Sequence, residues 1–466
     1  MAQLWPCLHG GAHTFPWMGF PPPAATRFAT LRGGLALDNP LILRDALSYI
    51  ANYRGSIFVI KFGGDVVARG DFHKIAQDIA LMHALGIRLI LVHGAAPQIE
   101  SLARLHNHTT EKVAGLRITD ERMMNIVKEA SAGVTLDIIA TLSAFKQLSG
   151  VQLRPVMSNP VRARGKGKVG DIDYQRTGEI LRIDAQLLDQ QLQAGMIPII
   201  GPCGIDGKGD LYNINADHVA LEVATTLRAE KLIFLTNVDG ILDADGVRIN
   251  ARSDEDMRQL LNEGKAFTGG MIPKVKSCIE ATERGVKRVH VLNGLTDGVL
   301  LLEVFSSTGV GTMIYSGRYD NIRQAREADL FHLMRLVRTG VAQGRLKPRS
   351  RHELINTINE FYVYEIDGRV VGCMAVPHFP EIKTSEVAAL QVDERFKMEG
   401  AGTRLVEYAE RLAADRGDTY LVALTTQTGK WFEELGFMPA TPEQVPPARR
   451  SQIRERGSAC YIKRLV

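Results

Sequence analysis

Ser56 to Gly64 reads SIFVIKFGG, and the fold turns on this stretch. Its apolar run, rich in β-branched and aromatic residues, predicts a buried strand over Ser56–Phe62 that stops at Gly63-Gly64. Unbroken rather than alternating apolarity marks a strand covered on both faces. Downstream, Phe72 to Leu85 reads as a helix, and Ile87 to Val92 (IRLILV) as a second strand running into His93-Gly94. Upstream, Pro40 to Tyr53 reads as a helix with Leu43, Leu47 and Ile50 on one face. Met196–Ile200, Lys231–Leu235 (KLIFL) and Arg288–Leu292 (RVHVL) are further predicted strands, separated by helical stretches. Alternating strands and helices predict an α/β fold: a parallel sheet with helices on both faces. Ligands then bind beyond the C-terminal strand ends, where the glycine turns fall.

The whole chain fits this reading. At 466 residues it has room for two or three domains. Hydrophobic residues at 45% and charged residues at 23% are those of a globular protein and exclude a disordered or fibrous one. The net charge of +4 is too thin to argue for nucleic acid, and no basic stripe carries interleaved aromatics. No apolar run of about 18 residues predicts a membrane span. Five cysteines, with no CxxC pair, indicate neither a zinc ribbon nor a redox dithiol, and they fit a reducing, cytoplasmic setting. No metal site is expected. Residues 1–38 stand apart: Asp38 is the first acid, and the run Pro21-Pro22-Pro23 opposes helix. They read as a disordered tail, with a weak transit-peptide signal and a start codon placed too early as alternatives.

A second unit begins near Arg318. Ala328–Gln343 reads as a helix, and Phe361–Ile366 with Arg369–Pro377 as a hairpin through Asp367-Gly368. A strand over Ser385–Val392, a helix over Gly402–Arg416, a strand over Tyr420–Thr425 and a helix over Gly429–Leu435 complete a small α+β domain.

Three glycine turns carry chemistry in the first unit: Gly63-Gly64 after Lys61, His93-Gly94-Ala95-Ala96-Pro97, and Gly269-Gly270 ahead of Lys274. Backbone N–H groups in such turns, with lysine charge, can neutralise a phosphate. With Gly115–Asp120 (GLRITD), Asn213–Asp217 (NINAD) and Thr236–Gly240 (TNVDG), they resemble the amino-acid kinase family, most closely its N-acetylglutamate kinases, over about residues 39–315. The resemblance implies a three-layer α/β/α domain. It implies that Arg117 and Asn213 bind substrate, that Lys61 and Lys274 stabilise a transferring phosphoryl group, and that Asp217 positions them. One departure weighs against phosphoryl transfer: the kinases carry an HGGGP-type turn, and here Ala95 and Ala96 bring Cβ atoms to it.

Arginine-inhibited kinases of that family have an additional N-terminal helix and an effector loop near the last strand. Leu47–Tyr53 (LSYIANY) and Leu302–Met313 resemble these elements. The resemblance implies arginine binding by Tyr53, Glu303 and Gly309, with Glu303 on the guanidinium. It also implies a homo-oligomer, a hexamer, built through the N-terminal helix. From spacing alone the second stretch is a terminal strand with a glycine turn.

In the second unit, Lys397-Met398-Glu399-Gly400-Ala401-Gly402 lies between a strand and a helix, where N–H groups and a positive helix end can receive a pyrophosphate. This resembles the GNAT acetyltransferases, with Lys397 in place of the usual Gln or Arg. The resemblance implies acetyl-CoA as co-substrate, held by Val392, Lys397, Gly400 and Gly402. It makes Glu386 the general base and Thr425 a donor to the leaving sulfur. It gives Arg351, Arg456 and Ser458 to the two carboxylates of L-glutamate, since a guanidinium fork binds carboxylate in two places. A kinase-like domain at 39–316 followed by a GNAT domain at 321–466 resembles the N-acetylglutamate synthase family. Glutamate acetylation under arginine control is then the expected activity, without metal. Two alternatives stay open: an enzyme that also phosphorylates N-acetylglutamate with ATP, or a GNAT with another amine acceptor.

Overall fold

Ile57–Phe62 (β1) is the centre of an eight-stranded sheet. In the computed structural model, the residues described are 53–465 apart from 69–71, 110, 114, 146–151, 244, 264–270, 306–308, 317–319 and 367–368. They belong to one compact unit, Ala46–Val466. Residues 40–52 of the predicted helix, the Gly269-Gly270 turn and the Asp367-Gly368 turn fall outside them, as does the tail.

The strands that follow in the sheet are β2 (Arg88–His93), β3 (Pro155–Met157), β4 (Ile197–Ile200), β5 (Lys231–Thr236), β6 (Ala251–Ser253), β7 (Arg288–Asn293) and β8 (Thr312–Tyr315). Their order is β6-β8-β7-β5-β1-β2-β4-β3. Every pairing is parallel except β7 with β8. Side-chain alternation along β1 sends Phe58, Ile60 and Phe62 into one core and Val59 into the other. Helices such as Phe72–Ala84 and Glu121–Ala144 cover the first face, and Ala216–Thr226 and Met271–Glu283 the second. This is the three-layer α/β/α arrangement expected.

The second sheet contains β9 (Asp320–Gln324), β10 (Phe361–Ile366), β11 (Arg369–Ala375), β12 (Thr384–Val392), β13 (Tyr420–Thr425), β14 (Met438–Ala440) and β15 (Ala459–Arg464). Their order is β9-β10-β11-β12-β13-β15-β14, with the short strand His378–Phe379 also on β12. Helix Leu330–Ala342 packs on β11 and β12, and Ala401–Asp415 on the same two strands. Tyr315 of β8 meets Phe396 of this domain with ring centroids 6.1 Å apart, so one apolar cluster spans the seam between the two sheets. No helix among the described residues is long and apolar enough to cross a membrane.

Candidate active site

The second sheet opens at its centre. β12 and β13 pair in parallel only from Thr384↔Tyr420 to Val387↔Ala423. Beyond that point β12 carries a bulge, with Ala389 at φ +49° and a register shift against β11. A bulge re-aims the strand and frees backbone groups from the ladder. β12 and β13 part here, and the space between them is a cleft of about 250 Å³.

Val392, Lys397, Gly400, Gly402 and Thr425 all line this cleft, with Arg345, Thr428 and Trp431, which the sequence reading did not single out. Gly400 caps helix Ala401–Asp415 at φ +72°, a conformation that suits glycine. A Cβ on Gly402 would lie 3.2 Å from the Trp431 indole. Lys397 is ion-paired with Glu394. The Thr425 hydroxyl accepts from the Thr428 N–H at 3.0 Å and shares a 2.8 Å hydrogen bond with the Thr428 hydroxyl. Its own proton can therefore go to Thr428 or to a group entering the cleft. Exposed N–H groups at a helix start suit a pyrophosphate, and the apolar strand wall suits a thioester arm.

Glu386 lies on the other side of the same strand. Side chains alternate along β12, so Val387 faces the cleft while Glu386 and Ala388 face a second pocket of about 230 Å³. Lys347, Arg349, Glu353, Thr357, Glu360 and Arg449 also line it. Glu386 is buried, and its Oε2 accepts from Arg449 Nε at 2.6 Å. Burial raises the Glu386 pKa above the ordinary glutamate value, against the opposing pull of Arg449 and Arg349.

The residues proposed for the acceptor carboxylates are distributed differently from the sequence reading. Arg351 is the first residue of helix Arg351–Asn356, capped by Ser350, and it is exposed. It is not in the lining of the Glu386 pocket; Arg349, two residues earlier, is. Arg456 ends helix Arg450–Arg456, and its side chain is outside the described set. Ser458 is half-buried and lines neither pocket. Arg449 stands in the basic run ARRSQIRER, where no spacing marks one arginine above another.

The kinase-like residues also converge. A pocket of about 350 Å³ at the C-terminal ends of β1 and β2 is lined by Lys61, Gly63, Gly64, Gly94 to Pro97, Arg117 and Asn213. Lys61 pairs with Asp217 at 2.6 Å. Lys274 is driven down by burial and held up by Asp217. Ala95 is buried in the turn, and a Cβ on Gly64 would come within 3.0 Å of its Cα.

Tyr53 and Glu303 meet in a buried polar cluster at the other side of this domain. Glu303 has no exposed side-chain surface; it binds His290 Nδ1 at 2.6 Å and accepts from the Val310 and Gly311 N–H groups at 2.8 and 3.2 Å. Gly309, at φ +60°, precedes that pair. His290 Nε2 lies 3.1 Å from Lys231 Nζ, which sits 4.8 Å from the Tyr53 ring centroid. Burial pushes the Lys231 ammonium down to about 8. Arg288 donates to the Tyr53 hydroxyl at 2.8 Å and to the Ile366 carbonyl of β10 at 3.1 Å. In the sequence Lys231, Arg288 and His290 read only as members of predicted strands, with nothing to mark them as site residues. No group of three or more His, Cys, Asp or Glu that could hold a metal occurs among the described residues.

An opened strand pair with a glycine-capped helix, beside a buried carboxylate, is the geometry that an acyl-CoA-dependent N-acyltransferase requires. Comparison with known proteins agrees. Residues 56–293 match the amino acid kinase family and residues 328–437 the acetyltransferase (GNAT) family. An amino-acid acetyltransferase of Ralstonia nicotianae is 36% identical over 91% of this chain and 94% of its own length. That of Escherichia coli K12 is 32% identical over 87% and 93%. Among solved structures, N-acetylglutamate synthase from Neisseria gonorrhoeae with coenzyme A and L-arginine is 34% identical, with a TM-score of 0.74 over 91% of this chain and 99% of that one. The same enzyme with coenzyme A and N-acetyl-glutamate is 35% identical, with a TM-score of 0.59 over 92% and 99%. The chain belongs to the amino-acid acetyltransferase family and is an N-acetyltransferase.

Proposed function

We propose that this protein is a cytoplasmic enzyme that transfers the acetyl group of acetyl-CoA to the α-amino group of L-glutamate, at the start of arginine biosynthesis, and that L-arginine regulates it. One observation carries the reading: a single strand, β12, separates a cleft suited to acyl-CoA from a pocket that sets Lys347, Arg349 and Arg449 around the buried Glu386. Donor and acceptor therefore approach the same strand from opposite sides.

The chemistry asks little of the protein beyond position and proton handling. Val392, Lys397, Gly400 and Gly402 hold the donor, with the positive start of helix Ala401–Asp415 toward the pyrophosphate. Glu386 takes the ammonium proton, directly or through a water, so that the amine can attack. As the C–N bond forms and the C–S bond breaks, the nitrogen gives its second proton to solvent, and Thr425 donates to the departing sulfur and regains a proton from solvent through Thr428, to which it is bonded. Arg349 takes the place proposed for Arg351 among the carboxylate ligands, because it faces the Glu386 pocket. Arg456 and Ser458 remain ligands in this reading.

Tyr53, Glu303 and Gly309 form the arginine site, joined by Lys231 and His290. The ligands of the Neisseria relative, coenzyme A with arginine or with N-acetyl-glutamate, support both halves of the reading. Assembly is through the N-terminal helix, as a hexamer.

The test is release of free thiol from acetyl-CoA with L-glutamate, without ATP, with and without arginine. Glutamate-dependent release changed by arginine is expected. Absence of release with glutamate defeats the acceptor assignment, and indifference to arginine defeats the sensor. The Lys61–Asp217 pair favours a second reading in which the kinase-like pocket also phosphorylates N-acetylglutamate; ADP formation that depends on N-acetylglutamate would establish it.

A further inference from the structure

Arg449 holds a position that neither the donor cleft nor the Thr425 proton path uses. Its side chain is 22% exposed, at the mouth of the pocket where Glu386 is only 5% exposed. Its guanidinium lies 5.5 Å from the Phe379 ring centroid, on the strand paired with β12. Nε is the one guanidinium nitrogen with a hydrogen bond among the described residues, and its partner is Glu386. A guanidinium is a rigid plane. With Nε on Glu386, the end carrying Nη1 and Nη2 remains available to a second carboxylate, in a direction set by the first.

An α-amino acid carries its amine and its carboxylate on one carbon. A group that binds both the base and that carboxylate therefore brings the amine to the base. We propose that Arg449 is the residue that reads the acceptor's α-carboxylate, bridging it to Glu386 so that the amine is delivered to the carboxylate that deprotonates it. This deepens the glutamate reading and rests on it. It assigns the α-carboxylate to Arg449 and leaves the distal carboxylate to the rest of the pocket. It also makes Arg449 a positioning residue for the base. Arg449, Arg349 and Glu360 are the charged groups that act on Glu386, with Lys347 and Glu353 in the same lining and Glu353 engaged in capping at Ser350. Arg449 is the cation in direct contact and helps keep the buried Glu386 ionised.

The experiment compares three acceptors, L-glutamate, its α-amide (L-isoglutamine) and its γ-amide (L-glutamine), by kcat/KM from thiol release. The unaltered enzyme should prefer glutamate to the α-amide by about 10- to 100-fold, the range of a charged hydrogen bond. In Arg449→Gln, that preference should collapse to within about 3-fold, while the preference over the γ-amide persists. The acid limb of kcat/KM for glutamate should move to higher pH, because losing the cation raises the Glu386 pKa and the base acts ionised. Arg449→Lys, which keeps the charge without the fork, should keep the limb and lose most of the α-amide discrimination. Equal loss with all three acceptors and an unmoved limb would make Arg449 structural and overturn the proposal. So would equal use of glutamate and its α-amide by the unaltered enzyme, a result that needs no variant to fold. Absence of thiol release with glutamate instead defeats the acceptor reading itself.

Discussion

Glu386 stands inside an apolar strand, and its chemistry depends on what burial does to it. Burial favours the neutral form, Arg449 and Arg349 favour the ionised one, and burial prevails. A general base must be ionised, so activity is lost as pH falls through a pKa above the ordinary glutamate range. The pH profile of kcat/KM should show that limb, and Glu386→Gln should lower kcat by about 10²- to 10⁴-fold, the contribution of a positioned base. The KM for acetyl-CoA should change little, because Glu386 faces away from the donor cleft. Glu386 could be suspected in the sequence because an acid interrupts the strand. Its partner could not: Arg449 is 63 residues away and looks like its basic neighbours.

Two elements turn local backbone and charge into function. The start of helix Ala401–Asp415 depends on Gly400 in the left-handed region, where an alanine costs about 1–2 kcal/mol. Gly400→Ala should raise the KM for acetyl-CoA several-fold and leave that for glutamate near its original value, as initial-rate kinetics will measure. Helix Val299–Phe305, which carries Glu303, is anchored by Asp78, whose carboxylate accepts from the Leu300 N–H at 3.1 Å. Burial raises Asp78 from 3.8 to about 6. The folded state therefore binds the extra proton between those values, and stability falls as pH rises through that window, by up to about 3 kcal/mol. Asp78→Asn keeps the acceptor oxygen and removes the titration. Denaturant midpoints measured from pH 4 to pH 7 should lose that part of their slope.

Across the whole molecule, the proposed effector cluster is tied to the acetyltransferase half. Glu303, His290, Lys231, Tyr53 and Arg288 follow one another in buried contacts, and Arg288 reaches the Ile366 carbonyl of β10. An effector that competes for Glu303 would disturb this chain and hence the seam between the two sheets. Glu303→Ala should raise the arginine concentration for half-maximal effect at least tenfold, read as the ratio of rates with and without arginine. An unchanged ratio would move the sensor elsewhere.

The five central strands of the first sheet, their alternation with helices and the glycine turn before Ala401–Asp415 could be read from the sequence alone; the outer strands of both sheets could not. What could be read follows from periodicity and backbone preference, which are local. Lys61 and Asp217, and Gly400, Gly402 and Thr425, could be named beforehand because the stretches that carry them resemble family motifs. What only the tertiary structure decided is which charges share a pocket. The bulge at Ala389, the parting of β12 from β13, Arg349 rather than Arg351 beside Glu386, and the buried Lys231–His290–Glu303 contacts join residues far apart in the chain. Such groupings are set by strand register and burial, and no local pattern encodes them.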